Sequence, residues 1–290
     1  MNFYPDPLAV AKQHSWLKRH PVATFFGLAY LISWAIELPL VASAQGWIAW
    51  SVPFATHYLA AFGPAIAALI MTGLLDGRDG LAALGRGFGR GWQQGGWLFF
   101  ALFSPVLLFA LAAVMGFMVN GRWPDLALLG RVEYLPYLGI AGAFGLWLLT
   151  FGLGEELGWR GYALPRLQAT HTALTSSLIL GAAWTFWHLP AFWYKATYQQ
   201  MGLVAGLPTL LISILAAAVV FTWLYNSTGG NLLVVIVFHA AFDFFSVSQA
   251  AGGSTAAVMS AAVMIGAVLI ISICKPTNLA RKPKQTQPRT

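Results

Sequence analysis

Apolar residues in this chain come in runs long enough to cross a bilayer, separated by short polar segments. A membrane-spanning helix needs about 20 predominantly apolar residues, and the sequence offers eight runs near that length. These predicted spans cover roughly residues 21–43, 53–75, 96–119, 135–154, 174–194, 206–226, 231–248 and 254–274. Ala, Leu and Gly dominate the runs, and the alternating pattern typical of β-strands is absent. The pattern therefore predicts an all-α fold, a polytopic membrane helical bundle with about eight transmembrane helices.

The composition supports the same class and sets the expected organisation. Of the 290 residues, 58% are hydrophobic and 9% are charged, whereas an ordinary soluble domain has about 25% charged residues. A lone cysteine, Cys274, excludes an intrachain disulfide and a cysteine-based metal knuckle. We expect a cytoplasmic N-terminal segment at 1–20, a transmembrane domain at 21–274 and a disordered cytoplasmic tail at 275–290.

Lysine and arginine residues divide unequally between the two sides of the predicted bundle. With eight spans and a cytoplasmic N-terminus, only Arg122, Arg131 and Lys195 fall on the outer side. The cytoplasmic segments hold Lys12, Lys18, Arg19, Arg78, Arg86, Arg90, Arg160, Arg166, Lys275, Arg281, Lys282, Lys284 and Arg289. This asymmetry follows the positive-inside rule and predicts cytoplasmic termini, in what we expect to be a bacterial inner membrane. The net charge of +7 then indicates contact with anionic membrane lipid, and no nucleic-acid partner is needed to explain it.

Ionisable residues inside apolar spans are costly and usually face the bundle interior or a water-filled cavity. Here they are Glu37, Glu155, Glu156, His188, His239 and Asp243, with His57 near the end of a span. Glu37 has no evident partner in its own sequence neighbourhood, and we expect a structural or substrate-groove role for it.

The spacing of these residues indicates which of them share a helix face. Glu156 and Arg160 are four residues apart and can form an ion pair, whereas Glu155 is rotated by about 100° and points elsewhere. His239 and Asp243 are also four residues apart. Two carboxylates and two imidazoles from three helices can therefore converge on one water or one ion, an arrangement suited to hydrolysis.

Three short motifs follow one another along the chain: Glu-Glu-x-x-x-Arg at residues 155–160, aromatic-x-x-x-His from Trp184 to His188, and His-x-x-x-Asp from His239 to Asp243. In the first motif the charged residues are Glu155, Glu156 and Arg160. The order of these motifs resembles the CPBP family of membrane proteins, which includes the type II CAAX prenyl endopeptidases. The resemblance covers a predicted protease core at about 135–250. Two positions depart from the usual pattern: Trp184 stands where phenylalanine is common, and Asp243 where asparagine is common.

The resemblance implies an intramembrane endopeptidase that hydrolyses a peptide bond near the C-terminus of a membrane-associated protein or peptide, lipidated substrates such as prenylated CAAX proteins among them. Glu155 would activate the attacking water with help from His188, His239 and Asp243 would stabilise the oxyanion, and Glu156 with Arg160 would brace the site. An alternative assignment places a divalent cation, Zn²⁺ or another, at the site with water at its open position. Its ligands would be Glu155, His188, His239 and Asp243. Without such an ion no cofactor is expected, and the sequence leaves both mechanisms open.

Two other functions fit the same fold class. A non-catalytic scaffold or immunity protein would keep the fold without turnover, and a secondary transporter would use the Glu, His and Asp residues as a proton relay. A convergent site also makes a structural demand, because Glu155 lies at the end of its predicted span while His188 lies late in the next one. We therefore predict that the fourth span continues as helix to about residue 163.

Overall fold

The computed structural model describes residues 16–89, 94–131 and 135–286, and these ranges fold into helices with no strand. The helices are, in chain order, α1 Pro21–Ala44, α2 Phe54–Leu75, α3 Gly77–Gly89, α4 Gly95–Asn120, α5 Gly139–Gln168, α6 Ala173–Trp187, α7 Ala196–Met201, α8 Leu203–Ser227, α9 Leu232–Val247 and α10 Ser254–Ile273. The first residues of α2, Phe54–Thr56, form a 3₁₀ turn, and further 3₁₀ turns stand between helices at Leu126–Leu128, Leu189–Trp193 and Gln249–Ala251. The predicted all-α bundle is confirmed. Lys12, Arg90 and Arg289, which entered the charge count, lie outside the described residues.

Each predicted span corresponds to a helical segment, but the helices are not equally long. Among the described residues, α1, α2, α4, α5, α8 and α10 are long and apolar enough to cross a membrane, and α9 is a shorter apolar helix of 16 residues. Helix α6 has 15 residues and is followed by the 3₁₀ turn, because the chain enters Pro190, which disfavours helix at the preceding residue. The chain is an integral, multi-pass membrane protein, and the predicted count of eight spans is approximate.

Helix α5 runs through the centre of the bundle, between α2 and α9, and glycines make this close approach possible. A Cβ atom at Gly154 would lie 2.6 Å from the carbonyl oxygen of Ala61, and one at Gly158 would lie 2.5 Å from the Cβ of Pro64. Small residues at such contacts let helix backbones pack directly against each other inside a membrane. The glycines of the "GLGEELG" segment therefore place two glutamates in the middle of the fold.

Replacing Gly158 by alanine should destabilise the protein by about 1–3 kcal/mol, the usual cost of overpacking a filled core. The added methyl group would meet Pro64 backbone atoms at 2.6 Å, so α2 and α5 would have to separate. Gly145→Ala, in the same helix, is the matched control because nothing lies within 4 Å of its Cβ position. Unfolding in detergent would compare the two variants, and equal stability would show that the α2–α5 contact is not tight.

The segment that follows α10 packs against one end of the bundle. Leu279 is fully buried, the backbone carbonyl of Asn278 accepts a hydrogen bond from Asn226 at 2.8 Å, and that of Gln285 accepts one from Gln168 at 2.7 Å. Gln168 and Asn226 are buried amides that need partners, and the backbone of this segment supplies them. Residues 275–286 are docked in this way, and residues 287–290 of the predicted tail lie outside the described residues.

Candidate active site

The Glu-Glu-x-x-x-Arg motif lies on a distorted part of α5. Leu148–Glu155 and Trp159–Ala163 are π-helical, separated by one short α-helical turn. Such π-turns widen the helix locally and are frequent at functional sites. Glu155 and Glu156 are consecutive in the sequence and both are buried. Their side chains nevertheless contact different partners. The prediction that this span continues as helix past residue 163 is confirmed, since α5 ends at Gln168.

The Glu155 carboxylate is held by two indole N–H groups. Trp184 Nε1 donates a hydrogen bond to Glu155 Oε2 at 2.7 Å, and Trp159 Nε1 donates to the same oxygen at 3.3 Å. Both bonds fall on Oε2, so Oε1 is the oxygen that can take a proton from a water. Glu155 was predicted to point away from the Glu156–Arg160 pair, and in the structure it has two partners of its own.

Glu156 joins two motifs that are distant in the sequence. Its Oε1 atom accepts a hydrogen bond from Arg160 Nη1 at 2.7 Å and lies 2.8 Å from His239 Nδ1. All three side chains are buried. The guanidinium of Arg160 also packs on the rings of Trp184 and Phe221, with centroid distances of 4.8 Å and 4.4 Å. The predicted pair of Glu156 and Arg160 is therefore formed, and it extends to the imidazole of α9.

Asp243 lies on the other side of the His239 ring. The distance from His239 Nε2 to Asp243 Oδ2 is 3.5 Å, so the imidazole stands between two carboxylates. Since Glu156 Oε1 is an acceptor shared with Arg160, we assign a proton to His239 Nδ1. A second proton on Nε2 would make an imidazolium that offsets the charge of Asp243.

His188 lies just after the last turn of α6, and its tautomer follows from one contact. The Nδ1 atom is 2.8 Å from the backbone carbonyl oxygen of Trp184. A carbonyl oxygen can only accept, so Nδ1 carries a proton, and in the neutral imidazole Nε2 keeps its lone pair. The end of α6 thus presents an imidazole that can accept a hydrogen bond at Nε2 in its neutral form.

These side chains share the wall of one cavity of about 230 Å³. Its polar lining comprises His57, Glu155, His188, Lys195, Tyr198, Ser213, His239, Asp243 and Ser260. The rest of the wall is mainly apolar and aromatic. Four of the six predicted site residues therefore line a common space, while Glu156 and Arg160 lie behind it, in contact with His239 and with the ring of Trp184.

A second buried group adjoins the same cavity. Tyr194 donates a hydrogen bond from its hydroxyl to Glu37 Oε1 at 2.8 Å, and His57 Nδ1 lies 2.6 Å from the Tyr194 oxygen. Glu37 and Tyr194 are 157 positions apart, which explains why no partner for Glu37 is visible in its sequence neighbourhood. His57 reaches the cavity wall, so this cluster connects α1 and the segment after α6 to the site.

The same geometry bears on the four candidate metal ligands, Glu155, His188, His239 and Asp243. Across the described residues, no group of three or more His, Cys, Asp and Glu side chains is arranged to hold a metal ion. His239 is engaged by two carboxylates and Glu155 by two indoles. The residues present do not fit a metal centre in this arrangement, so no step is assigned to a metal.

Two functional contacts could not be recognised in the sequence. Trp159 lies within the first motif, at one of the positions where the motif allows any residue. Trp184 is visible only as a departure from phenylalanine at the start of the second motif. The structure explains that departure, because an indole offers the N–H group that Glu155 accepts and a phenyl ring does not.

Replacing Trp184 by phenylalanine should therefore slow catalysis while keeping the ring contacts with Arg160 and His239. A hydrogen bond to a charged group is worth about 1.5–3 kcal/mol, so we expect a loss of about ten- to a hundredfold in kcat. Trp187→Phe is the matched control, because the Trp187 indole N–H is buried without an acceptor among the described residues. Equal rates for both variants would contradict a role for the Trp184–Glu155 bond.

Comparison with known proteins agrees with the motifs. Residues 137–245 match the family model of the type II CAAX prenyl endopeptidase Rce1-like proteins, a segment that contains all six predicted site residues. A CAAX prenyl protease 2 of Methanococcus maripaludis is 32% identical over 96 residues, which cover 32% of this chain and 35% of that protein. The chain thus matches about a third of the length of this curated relative. Over residues 137–245 the resemblance to type II CAAX endopeptidases is confirmed.

Proposed function

We propose that this chain is an intramembrane endopeptidase that hydrolyses a peptide bond of a membrane-associated polypeptide. The observation that carries the proposal is the Glu155 carboxylate, fixed by two indoles on the wall of a buried cavity that His188 and His239 also line. A carboxylate and a neutral imidazole beside one space are the groups needed to position and deprotonate a water. The match over residues 137–245 supports the same chemistry at the level of the family.

Glu155 and His188 act on the attacking water. Oε1 of Glu155 takes one proton while Nε2 of His188 accepts a hydrogen bond from the other O–H, so the water oxygen is directed at the substrate carbonyl. A bond forms between that oxygen and the carbonyl carbon, and the carbonyl electron pair moves to its oxygen. Glu155 then returns the proton to the peptide nitrogen as the carbon–nitrogen bond breaks. The products are a new carboxyl group and a free amine.

His239 stabilises the oxyanion that forms in this sequence. Its Nδ1 is anchored to Glu156, which leaves Nε2 as the donor for the negative oxygen in the cavity. Asp243, 3.5 Å from Nε2, keeps the imidazole protonated before substrate arrives. Arg160 neutralises Glu156 and, with the rings of Trp184 and Phe221, keeps the imidazole in place.

The substrate is a peptide or a lipidated protein segment that reaches the cavity from the membrane. The curated relative is named as a CAAX prenyl protease, so a prenylated CAAX peptide is the first substrate to test. The mainly apolar lining of the cavity, with residues such as Leu210, Ile214 and Val263, suits an apolar side chain or lipid group.

The test uses purified protein reconstituted in liposomes with two fluorogenic peptides, one carrying a farnesyl-cysteine and one an unprenylated transmembrane segment. Glu155→Gln protein is the paired control for each peptide. Cleavage of either peptide by wild-type protein alone supports the endopeptidase. Absence of cleavage of both peptides by folded protein would argue for a non-catalytic role.

Chelators should leave this activity unchanged. Because the described site residues do not form a metal cluster, incubation with 1,10-phenanthroline followed by desalting is expected to preserve the rate within about twofold. A zinc-dependent peptidase treated in parallel controls for the chelator. Loss of activity that returns on adding Zn²⁺ would instead favour the metal assignment of Glu155, His188, His239 and Asp243.

A further inference from the structure

The bundle has two ends that differ in charge, and hydrogen bonds define each end. The basic end joins the loops after α2, α5, α8 and α10. Asp76 pairs with Arg166 there, Lys284 Nζ donates to the His171 carbonyl, and Ala173 N donates to the Thr277 carbonyl. The opposite end joins the loops after α1, α4, α6 and α9. Gln45 donates to the Trp193 carbonyl there, and Gln249 N donates to the Arg131 carbonyl.

Basic residues concentrate at the first of these ends. Within the described ranges it carries Lys18, Arg19, Arg78, Arg86, Arg166, Lys275, Arg281, Lys282 and Lys284. The opposite end carries Arg122, Arg131 and Lys195. Arg160, which the sequence analysis counted among cytoplasmic charges, is fully buried beside Glu156 and belongs to neither end. Removing it from the count leaves the asymmetry intact.

The catalytic cavity extends from the middle of the bundle toward the opposite end. Its lining includes His57 at the start of α2, Lys195 and Tyr198 after α6, and Val247 at the end of α9. Val247 is 45% exposed, which places that part of the wall at the surface. None of the described residues that line the cavity comes from the loops of the basic end.

We infer that the cavity is entered from the exoplasmic side of the membrane. Short loops rich in lysine and arginine remain in the cytoplasm, which makes the basic end cytoplasmic and the end with Lys195 and Val247 exoplasmic. Within the part of the chain that the structure describes, the cavity that reaches Glu155 occupies this half of the bundle, and a polypeptide would enter through it. The route therefore starts in the exoplasmic leaflet or at its surface.

This orientation narrows the substrate class. The substrate is an apolar segment of an exported or membrane-embedded polypeptide whose cleavage site lies in the exoplasmic half of the bilayer. A lipidated peptide fits this route only when it is presented from the exoplasmic side. The identity of the substrate rests on the proposed endopeptidase function, whereas the side of entry does not.

Single-cysteine labelling tests the side of entry without requiring activity. With Cys274 changed to serine, Ala196→Cys places a thiol beside Lys195, and Ala83→Cys is the matched variant in α3 at the basic end; both alanines are exposed. A membrane-impermeant maleimide should label Ala196→Cys in spheroplasts and Ala83→Cys only in inverted vesicles. Labelling of Ala83→Cys in spheroplasts, or of both variants from both sides, would overturn the inference.

A third variant reports on the cavity itself. Ser213 lines the cavity wall, so Ser213→Cys in the same background should react with a small impermeant thiosulfonate in spheroplasts, from the side that labels Ala196→Cys. Circular dichroism of the purified variants verifies that they are folded. Reaction of Ser213→Cys only in inverted vesicles would show that the cavity opens to the cytoplasm and would overturn the inference even if the endopeptidase function holds.

Discussion

Glu155→Gln is expected to lower the rate of peptide hydrolysis by about 10²–10⁴-fold, the usual contribution of a positioned general base. In the wild-type protein Trp184 Nε1 donates a hydrogen bond to Glu155 Oε2 at 2.7 Å. Glutamine keeps an oxygen that can accept this bond, but its amide cannot take a proton from water. The fold and the cavity should therefore persist while the reaction stops. The measurement is initial rate in liposomes, together with the unfolding midpoint in detergent.

Glu37→Gln is the matched control for this loss. Glu37 is also a buried glutamate, and it accepts a hydrogen bond from Tyr194 as Glu155 does from Trp184. It does not line the cavity, so its substitution should reduce the rate far less. If Glu155→Gln keeps more than about a tenth of the wild-type rate, Glu155 is not the general base.

Arg160→Met is expected to destabilise the protein by about 3–5 kcal/mol, because the buried Glu156 carboxylate loses its guanidinium partner. Arg160 and Glu156 side chains are both fully buried, with 2.7 Å between Nη1 and Oε1. Methionine preserves much of the side-chain length, but it loses the guanidinium contacts with the rings of Trp184 and Phe221, which add to the destabilisation. Unfolding in detergent with increasing dodecyl sulfate measures the difference in free energy.

Two further variants separate the charge effect from other causes. Arg78→Met removes an exposed arginine and should change stability by less than about 0.5 kcal/mol. The double variant Arg160→Met with Glu156→Gln removes both charges and should recover part of the lost stability. If the double variant is less stable than Arg160→Met alone, the charge of Glu156 without Arg160 is not the cause of the lost free energy of unfolding.

The sequence was sufficient to predict the long apolar helices, because the length of an apolar run is what a membrane span requires. The first span was predicted at 21–43 and is Pro21–Ala44 in the structure. The requirement that Glu155 and His188 meet also predicted the extension of α5 correctly. Hydropathy does not distinguish a spanning helix from a shorter buried one. This is why α6 and α9 were predicted as spans although both are shorter than a typical span.

The motif residues could be selected from the sequence because charge is rare in this chain, but their partners could not. The two indoles on Glu155 depend on π-turns and on the direction of Trp184 from another helix, and neither leaves a sequence pattern. The pairing of Glu37 with Tyr194 links residues far apart in the chain. The docked segment at 275–286 is polar in composition, and its position depends on contacts that leave no pattern in the sequence, such as those with the buried amides of Gln168 and Asn226.

The most direct test of the central claim is to follow the water oxygen. Cleavage in water enriched in oxygen-18, analysed by mass spectrometry of the peptide fragments, should place one heavy oxygen in the new C-terminal carboxyl group, and Glu155→Gln protein should form this product at least about a hundredfold more slowly. This result would establish hydrolysis by water that depends on Glu155. Heavy-oxygen product formed at the same rate by wild-type and Glu155→Gln protein would contradict the account.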